Sequence, residues 1–315
     1  MKSHRHSGIA LVAVLWVILL LSVIAASFSL STRTSIQLSN HVLHQARAAG
    51  LIEAAISRCI IELNKPAQSQ RWTHDGTPQA WAFGGAAFLI AIQNAQGLID
   101  LNQGDKATLK KLLEGLDIPD DDAAKISDAV VDWKDSNKFA QLNGAEDSDY
   151  ERAGLPYRSK DEPFDTVEEL RLVLGVTHEY YQKIAPFVTV HSKSRNVNSE
   201  IAPPQVLLAL PGFDSQRVDE IRRQREARAN GAQVDDGAAS GNAGFGGLGG
   251  GLGGGFGGAG QAYHVRIQVQ FQNGLTYTNE VVLTQSNSSI PYSIVAWKPG
   301  FLFPETDAQN DDPTQ

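Results

Sequence analysis

The stretch MKSHRHSGIALVAVLWVILLLSVIAASFSL (residues 1–30) decides the fold, because it joins a short basic leader to a long apolar run. Residues 9–30 carry no charge. About 20 apolar residues, each rising about 1.5 Å in a helix, cross the hydrocarbon core of a bilayer. Lys2 and Arg5 precede the run, so the positive-inside bias predicts a cytoplasmic N-terminus and an extracytoplasmic body.

A cleaved secretory signal is the alternative, since Val23 and Ala25 offer the small residues needed for a cut ahead of Ala26. The apolar run is longer than the usual signal core of about 7 to 15 residues, which favours a retained anchor. Apolar side chains then recur at helical intervals through residues 31–64, and Pro66 ends the pattern. We therefore expect one helix over residues 9–64, about 80 Å long.

The composition limits the classes of function. The chain has 315 residues, 42% of them hydrophobic, which is enough to form a packed core. A net charge of −8 argues against a basic surface for nucleic acid phosphates, and no nucleic acid partner is expected. Cys59 is the only cysteine, which excludes an internal disulfide and a cysteine-based zinc site. No catalytic motif such as G-x-S-x-G occurs, so we expect no enzyme activity.

Strand patterns lie on both sides of a helical region. Residues 86–102, AAFLIAIQNAQGLIDLN, predict a hairpin that turns at Asn94–Gly97. Residues 105–190 predict helices, with a capping box at Thr166 and Glu169. Residues 194–236 then predict a short strand and two helices.

The C-terminal part begins with low-complexity sequence. Residues 237–260 are rich in glycine and predict a flexible loop. The alternating pattern around Asn273-Gly274 predicts a second hairpin, and residues 294–300 predict a final strand. The last 15 residues predict an acidic tail.

Four motifs follow one another in the middle of the chain: VVDWKDSN (130–137), NGAEDSDY (143–150), PFDTVEELRLVLG (163–175) and NVNSEIAPPQVLLALPGF (196–213). With the leader, this series resembles the minor pseudopilin K family of the type II secretion system. Members of that family show DW-x-D, GAED-x-x-Y, EEL-x-x-x-x-G and N-x-N-x-A-x-x-x-L-x-ALPG patterns. The resemblance runs from the leader to about Gly300. Asn137 departs from it, because a further Asp is common there.

The resemblance implies how the N-terminus matures. Prepilin peptidase would cut between Gly8 and Ile9, and the new amine would be methylated. Most pilin-like proteins have Glu at the fifth mature position, where this chain has Ala13. A carboxylate inside the bilayer costs about 2.5 to 3.5 kcal/mol unless it has a partner. In pilin-like fibres that partner is the terminal ammonium of the preceding subunit, so Ala13 fits a subunit with no predecessor, at the fibre tip. The alternative is an ordinary membrane anchor, in which Ala13 has no special role.

The resemblance also implies an α+β fold, with a pilin-like long N-terminal helix packed on an antiparallel sheet and a large inserted all-helical subdomain. The expected segments are the leader 1–8, transmembrane helix 9–30, periplasmic amphipathic helix 31–64, first sheet part 65–104, helical subdomain 105–193, returning strand and helices 194–236, flexible loop 237–260, C-terminal strands 261–300 and tail 301–315.

A calcium site is expected in the helical subdomain. Asp132, Asp135 and Asn137 follow a predicted helix, and Glu146 and Asp147 come shortly after. Calcium takes six to eight oxygen ligands, mainly carboxylates and carbonyls. The resembling family binds calcium around this loop, although Asn in place of Asp would lower the ligand charge. The alternative is a solvated acidic surface with helix caps.

The implied function is to cap the pseudopilus tip, together with minor pseudopilins I and J, and to help start the fibre that exports folded proteins. Other pseudopilins and prepilin peptidase are further implied partners. The expected location is the bacterial inner membrane, with one span and a periplasmic head.

Two other functions stay open. VLLALPGFDSQRVDEIRRQR (206–225) resembles a helix-hairpin-helix, whose turn presents backbone amides to DNA phosphates, and four arginines, Arg217, Arg222, Arg223 and Arg225, add positive charge. A minor pilin of a type IV pilus or DNA-uptake system is therefore the first alternative. A secreted calcium-binding protein would follow if the mature chain began at Ala26.

Overall fold

The computed structural model describes residues 7–66, 71–229, 261–286 and 291–300. The predictions for residues 1–6, for the glycine-rich segment 237–260 and for the tail 301–315 lie outside the described residues. The chain forms two compact units, Met1–Ala54 and Ala55–Gln315.

A single helix, α1, spans Ser7–Asn64, as the sequence predicts. Its segment Leu11–Phe28 has a mean hydropathy of 2.8 and is exposed along its whole length, so it is long and apolar enough to cross a membrane. The helix ends where the Asn64 side chain donates a hydrogen bond to the carbonyl of Ile60, 2.7 Å away, and Pro66 follows. Near this end Cys59 is buried, which raises the pKa of its thiol to about 12.

The second unit contains a five-stranded antiparallel sheet with the order β1-β2-β5-β6-β7. Its strands are β1 (Asp75–Phe83), β2 (Ala86–Asn94), β5 (Ala262–Phe271), β6 (Thr276–Gln285) and β7 (Tyr292–Pro299). The hairpin predicted at Asn273-Gly274 is confirmed, and Gly274 takes the positive φ of 82° that such a turn requires. The predicted final strand is also confirmed, as β7.

The hairpin predicted within residues 86–102 is wrong. β2 pairs with β1 through the tight turn at Gly84–Gly85, and its other edge pairs with β5. After β2 the chain makes a 3-10 turn at Ala95–Gly97 and enters β3 (Ile99–Asp100), which pairs in parallel with β4 (Val188–Thr189). The segment 98–101 is therefore paired with a strand far along the chain and not with β2.

The strand predicted after residue 194 is also absent from the described residues, where turns take its place. The Asn198 side chain accepts a hydrogen bond from the backbone amide of Glu200 at 2.9 Å. Such a bond closes an Asx turn, which competes with extended structure.

A mainly helical subdomain, interrupted by the two-residue strand β4, is inserted between β3 and β5. Its α-helices are α2 (Lys106–Gly115), α3 (Asp120–Lys134), α4 (Asp147–Arg152), α5 (His178–Ile184), α6 (Pro204–Ala209) and α7 (Ser215–Ala229). They share one core, in which Leu112, Trp133 and Leu207 are buried. The predicted capping box starts a 3-10 helix at Val167–Leu172. The α+β class and the helical insertion are thus confirmed.

A buried polar network joins one face of the sheet to the subdomain. The Arg266 guanidinium donates a hydrogen bond to the carbonyl of Pro186 at 3.0 Å, and His264 Nε2 bonds to the Thr189 hydroxyl at 3.0 Å. Glu280 lies between these two side chains on β6 and pairs with both. These contacts anchor the subdomain to the sheet.

Candidate metal centre

The loop between α3 and α4, residues 135–146, is held by carboxylates of the preceding helix. Asp132 is fully buried and accepts hydrogen bonds from the backbone amide of Gln141 at 3.1 and 3.0 Å. One turn earlier, Asp128 accepts one from the amide of Asn143 at 3.0 Å. Burial raises the pKa of Asp132, and the nearby charges of Asp135 and Asp128 raise it further.

A glycine is required at position 144. A Cβ at this position would overlap with the carboxylate of Asp132. The GAED motif therefore begins with glycine because the backbone passes directly against the buried aspartate.

Three carboxylates converge where the loop ends. Glu146, Asp147 and Asp161 each offer an oxygen within 4.8 Å of the other two. The Ser159 hydroxyl lies among them, 2.8 Å from Asp147, 3.2 Å from Asp161 and 3.4 Å from Glu146. One hydroxyl donates a single proton, so this centre has more acceptors than donors.

One cationic side chain partly balances the cluster. The Lys138 ammonium forms ion pairs with Asp161 and, at 3.3 Å, with Asp147. The hydrogen bond to Asp161 is the main reason why the pKa of Lys138 is raised. The hydrogen bond from Ser159, followed by the contact with Lys138, lowers the pKa of Asp147.

Glu146 is the member of the cluster with unmet bonding capacity. It is buried, and within the described part of the chain its Oε1 atom has no hydrogen-bond partner. Burial raises its pKa first, and the charges of Asp132 and Asp135 raise it further. A buried acceptor without a hydrogen-bond donor lowers the stability of the fold unless a cation or a water molecule binds to it.

This donor set fits calcium. Carboxylate and hydroxyl oxygens are the ligands that a hard divalent cation prefers, and the orphaned Glu146 Oε1 supplies a free acceptor. Glu146, Asp147 and Asp161 would hold the ion, with Ser159 beside them. A bound cation would satisfy the acceptors and offset the charge that Lys138 only partly balances.

The five residues that the sequence suggested as calcium ligands do not all lie in the carboxylate cluster. Glu146 and Asp147 lie in the cluster, and Asp132 is tied to the loop backbone. Asp135 accepts a hydrogen bond from the amide of Asn137 at 3.2 Å, and Asn137 accepts one from the amide of Phe139 at 2.8 Å. The ligand set therefore stays a prediction.

Asp161 is the cluster member that sequence reasoning missed. It lies 14 residues beyond Asp147, and its backbone amide donates to the carbonyl of Trp133 at 3.0 Å. Its φ of 57° is unusual for a residue other than glycine. The only signal in the sequence is the acidic pair Asp161-Glu162, which does not reveal the long-range contact.

The aromatic residues of the motifs form the support of this centre. Trp133 of DW-x-D, Tyr150 of GAED-x-x-Y and Phe164 are buried together, with ring centroids of Trp133 5.8 Å from Tyr150 and 6.4 Å from Phe164. The Tyr150 hydroxyl accepts a hydrogen bond from the amide of Leu174 at 3.1 Å. The motifs are therefore consecutive parts of one packed unit.

Part of the arginine charge at the helix-hairpin-helix-like turn is used within the chain. Arg225 donates to the carbonyls of Ala202 at 2.9 Å and Ser199 at 2.8 Å. Arg217 lies over the ring of Phe213, 5.1 Å from its centroid. These contacts attach α7 to the segment before α6 and to Phe213 in the turn before α7, and Arg222 and Arg223 are exposed.

The predicted processing residues lie on α1. Gly8 and Ile9 are helical in backbone, and the side chain of Ile9 is outside the described residues. Ala13 is exposed within the candidate membrane span. Cleavage, methylation and the meaning of Ala13 stay predictions.

The chain is similar in sequence to known proteins. Residues 89–193 match the family model for Type II secretion system (T2SS), protein K. A Type II secretion system protein K of Klebsiella pneumoniae is 28% identical over 252 residues, covering 72% of this chain and 76% of the relative. One of Pectobacterium carotovorum subsp. carotovorum is 29% identical over 221 residues, covering 62% and 67%.

A solved structure shares the fold. A chain in the crystal structure of the GspK-GspI-GspJ complex from the enterotoxigenic Escherichia coli type 2 secretion system matches with a TM-score of 0.50 and 17% identity, covering 86% of this chain and 99% of that chain. The residues that match the family model, 89–193, contain both the α3–α4 loop and the carboxylates of Glu146, Asp147 and Asp161. In sequence and in fold, this chain is therefore similar to type II secretion system protein K.

Proposed function

We propose that this chain caps the tip of the type II secretion pseudopilus and helps to initiate its assembly. Its role would be assembly rather than catalysis, in the export of folded proteins across the outer membrane. The partners would be minor pseudopilins I and J, by analogy with the composition of the complex in which one chain shares the fold. Other pseudopilins would follow below them in the fibre.

The observation that carries this proposal is the inserted helical subdomain. Among the described residues between β3 and β5, six α-helices share a common core, in addition to the sheet. A head with this extra subdomain needs more lateral room than a sheet alone, and steric bulk is tolerated best where no further subunit stacks above. Ala13 supports the same position, because it needs no ammonium from a preceding subunit.

The proposed topology follows from the first helix. The segment Leu11–Phe28 would anchor the chain in the inner membrane, with its N-terminus cytoplasmic and its head periplasmic. Prepilin peptidase would cut between Gly8 and Ile9, after which the amine of Ile9 would be methylated. Calcium would be structural, bound at Glu146, Asp147 and Asp161.

Labelling of assembled fibres tests the tip position. Gold particles directed to an epitope tag on the full-length chain should mark one end of each pseudopilus, and fibre number should fall when the chain, I or J is removed. Labels spaced along the fibre would exclude a cap. An Ala13→Glu variant should initiate fewer fibres, with Ala13→Val as the apolar control.

A further inference from the structure

The Lys138 ammonium reaches the carboxylate cluster from the first part of the α3–α4 loop. It contacts Asp161 Oδ2 and, at 3.3 Å, Asp147 Oδ2. The Ser159 hydroxyl contacts the other oxygen of each aspartate and the Oε2 atom of Glu146. Of the six carboxylate oxygens, Ser159 thus contacts three and Lys138 two. The sixth, Glu146 Oε1, has no hydrogen-bond partner in the described part of the chain.

The ammonium contacts oxygens that a divalent cation would use. Glu146 is only 6% exposed, so a ligand of its unpartnered Oε1 has to lie inside the cluster. Calcium takes six to eight oxygen ligands, and the cluster supplies the most oxygens when both aspartates offer their Oδ2 atoms as well. Two cations on the same carboxylates also repel each other. Lys138 and a bound calcium ion are therefore alternatives at this site.

The Lys138 side chain can leave the cluster while the loop stays folded. It is 54% exposed, so solvent already reaches it. Lysine has a flexible stem and a strongly hydrated ammonium, which can exchange carboxylate contacts for water. The loop backbone does not depend on this side chain, since Asp132 still binds the amide of Gln141.

We propose that Lys138 is an intramolecular competitor of calcium, which holds the cluster at low calcium concentration and is displaced when the ion binds. This inference rests on the calcium site proposed for this chain. The ammonium then sets the calcium concentration at which the site fills, because the ion replaces a cation that the chain itself holds at high local concentration. At low calcium concentration it limits the repulsion among the carboxylates of Glu146, Asp147 and Asp161.

Calcium titration of the detergent-solubilised full-length chain, by isothermal calorimetry at neutral pH, tests the competition. Lys138→Gln should lower the Kd for calcium by about tenfold or more, because no ammonium has to be displaced. Arg158→Gln is the matched control. It neutralises one positive charge next to Ser159, but Arg158 pairs outside the cluster, with Glu151 at 2.6 Å. This variant should change the Kd by less than about threefold, as expected for an exposed pair.

Thermal unfolding separates competition from a purely structural role of Lys138. With EDTA, Lys138→Gln should lower the melting temperature, because the three carboxylates then repel one another without a counter-charge. With saturating calcium, variant and parent should melt at the same temperature, since the ion holds the carboxylates in both. A lysine that only supported the loop would lower the melting temperature equally in both conditions, which would contradict the proposal.

Failure of the competition can be distinguished from failure of the calcium site. If the parent binds calcium and Lys138→Gln has an equal or higher Kd, the competition is wrong and the site stands. The same conclusion follows if Arg158→Gln tightens binding as much as Lys138→Gln does. If neither the parent nor Lys138→Gln binds calcium, both the site and the competition are wrong. Binding by Lys138→Gln alone would support the competition.

Discussion

At the scale of single residues, the contact between position 144 and Asp132 has the most direct consequence for stability. Replacing Gly144 with alanine forces either the loop or the buried carboxylate to move, because the new Cβ would overlap with it. We expect Gly144→Ala to lower the free energy of unfolding by about 1 to 3 kcal/mol, the usual cost of overpacking.

Thermal unfolding of the detergent-solubilised chain measures this effect. Gly115→Ala is the matched control, since no atom lies within 4 Å of a Cβ built there and the residue ends α2. Equal losses in both variants would show that the Asp132 contact is unimportant.

Calcium binding is the second expectation at this scale. Calcium should raise the melting temperature of the chain, because it binds the folded cluster and not the unfolded chain. Asp161→Asn should abolish the increase, since it removes one of the three converging carboxylates. Differential scanning calorimetry with added calcium or EDTA gives the measurement.

The same experiment separates two ligand sets. Asp135→Ala should keep most of the calcium effect if the cluster of Glu146, Asp147 and Asp161 holds the ion. It should lose the effect if the set proposed from sequence is correct. An unchanged melting curve with EDTA and calcium alike would exclude the site.

At the scale of elements, the network around Glu280 connects strand β6 to the helical subdomain. Burial alone would raise the pKa of Glu280, but the hydrogen bond with His264 and the charges of His264, Arg266 and Lys298 lower it from 4.5 to about 2. A carboxyl group whose pKa is lower in the folded chain than in the unfolded chain stabilises the fold at pH values above its unfolded pKa. That contribution is lost as the pH falls from about 4.5 towards 2.

Glu280→Gln should therefore destabilise the chain at pH 7 by about 3 kcal/mol, the usual cost of removing one partner from a buried charge pair. The difference from the parent should shrink as the pH falls towards 2, because the parent residue then becomes neutral too. Unfolding measured between pH 2 and 7 checks both expectations. Glu179→Gln, in an exposed pair with Lys183, should have little effect at any pH.

Local patterns predicted the elements whose determinants lie close together in sequence. Helix α1 follows from one uninterrupted apolar and amphipathic run, and the β5–β6 hairpin follows from Asn273-Gly274 between alternating segments. Strand β1 was missed because Gly76 and Pro78 weaken its pattern and its side chains are only partly buried at the sheet edge.

Contacts between residues far apart in sequence explain the other predictions that were wrong or incomplete. The segment 98–101 looks like the second strand of a hairpin, but its partner β4 lies about 90 residues further along the chain. The carboxylate cluster shows the same limit. Glu146 and Asp147 are adjacent in a recognisable motif, whereas Asp161 joins them only through the tertiary contact of its backbone with Trp133.

At the scale of the whole molecule, the proposed place of this protein in the fibre depends on whether α1 remains in the mature chain. The apolar segment Leu11–Phe28 has no structural role in a soluble secreted protein, but it is the part that a fibre subunit needs in the membrane. Removal of this segment, which includes Ala13, would leave the head without an anchor.

Mass spectrometry of the N-terminal peptide of the native protein, purified from cells with an active prepilin peptidase, tests this directly. The expected mature chain begins at Ile9 and carries one methyl group on its amine. A mature chain that begins at Ala26 would contradict a pilin-like subunit at the pseudopilus tip.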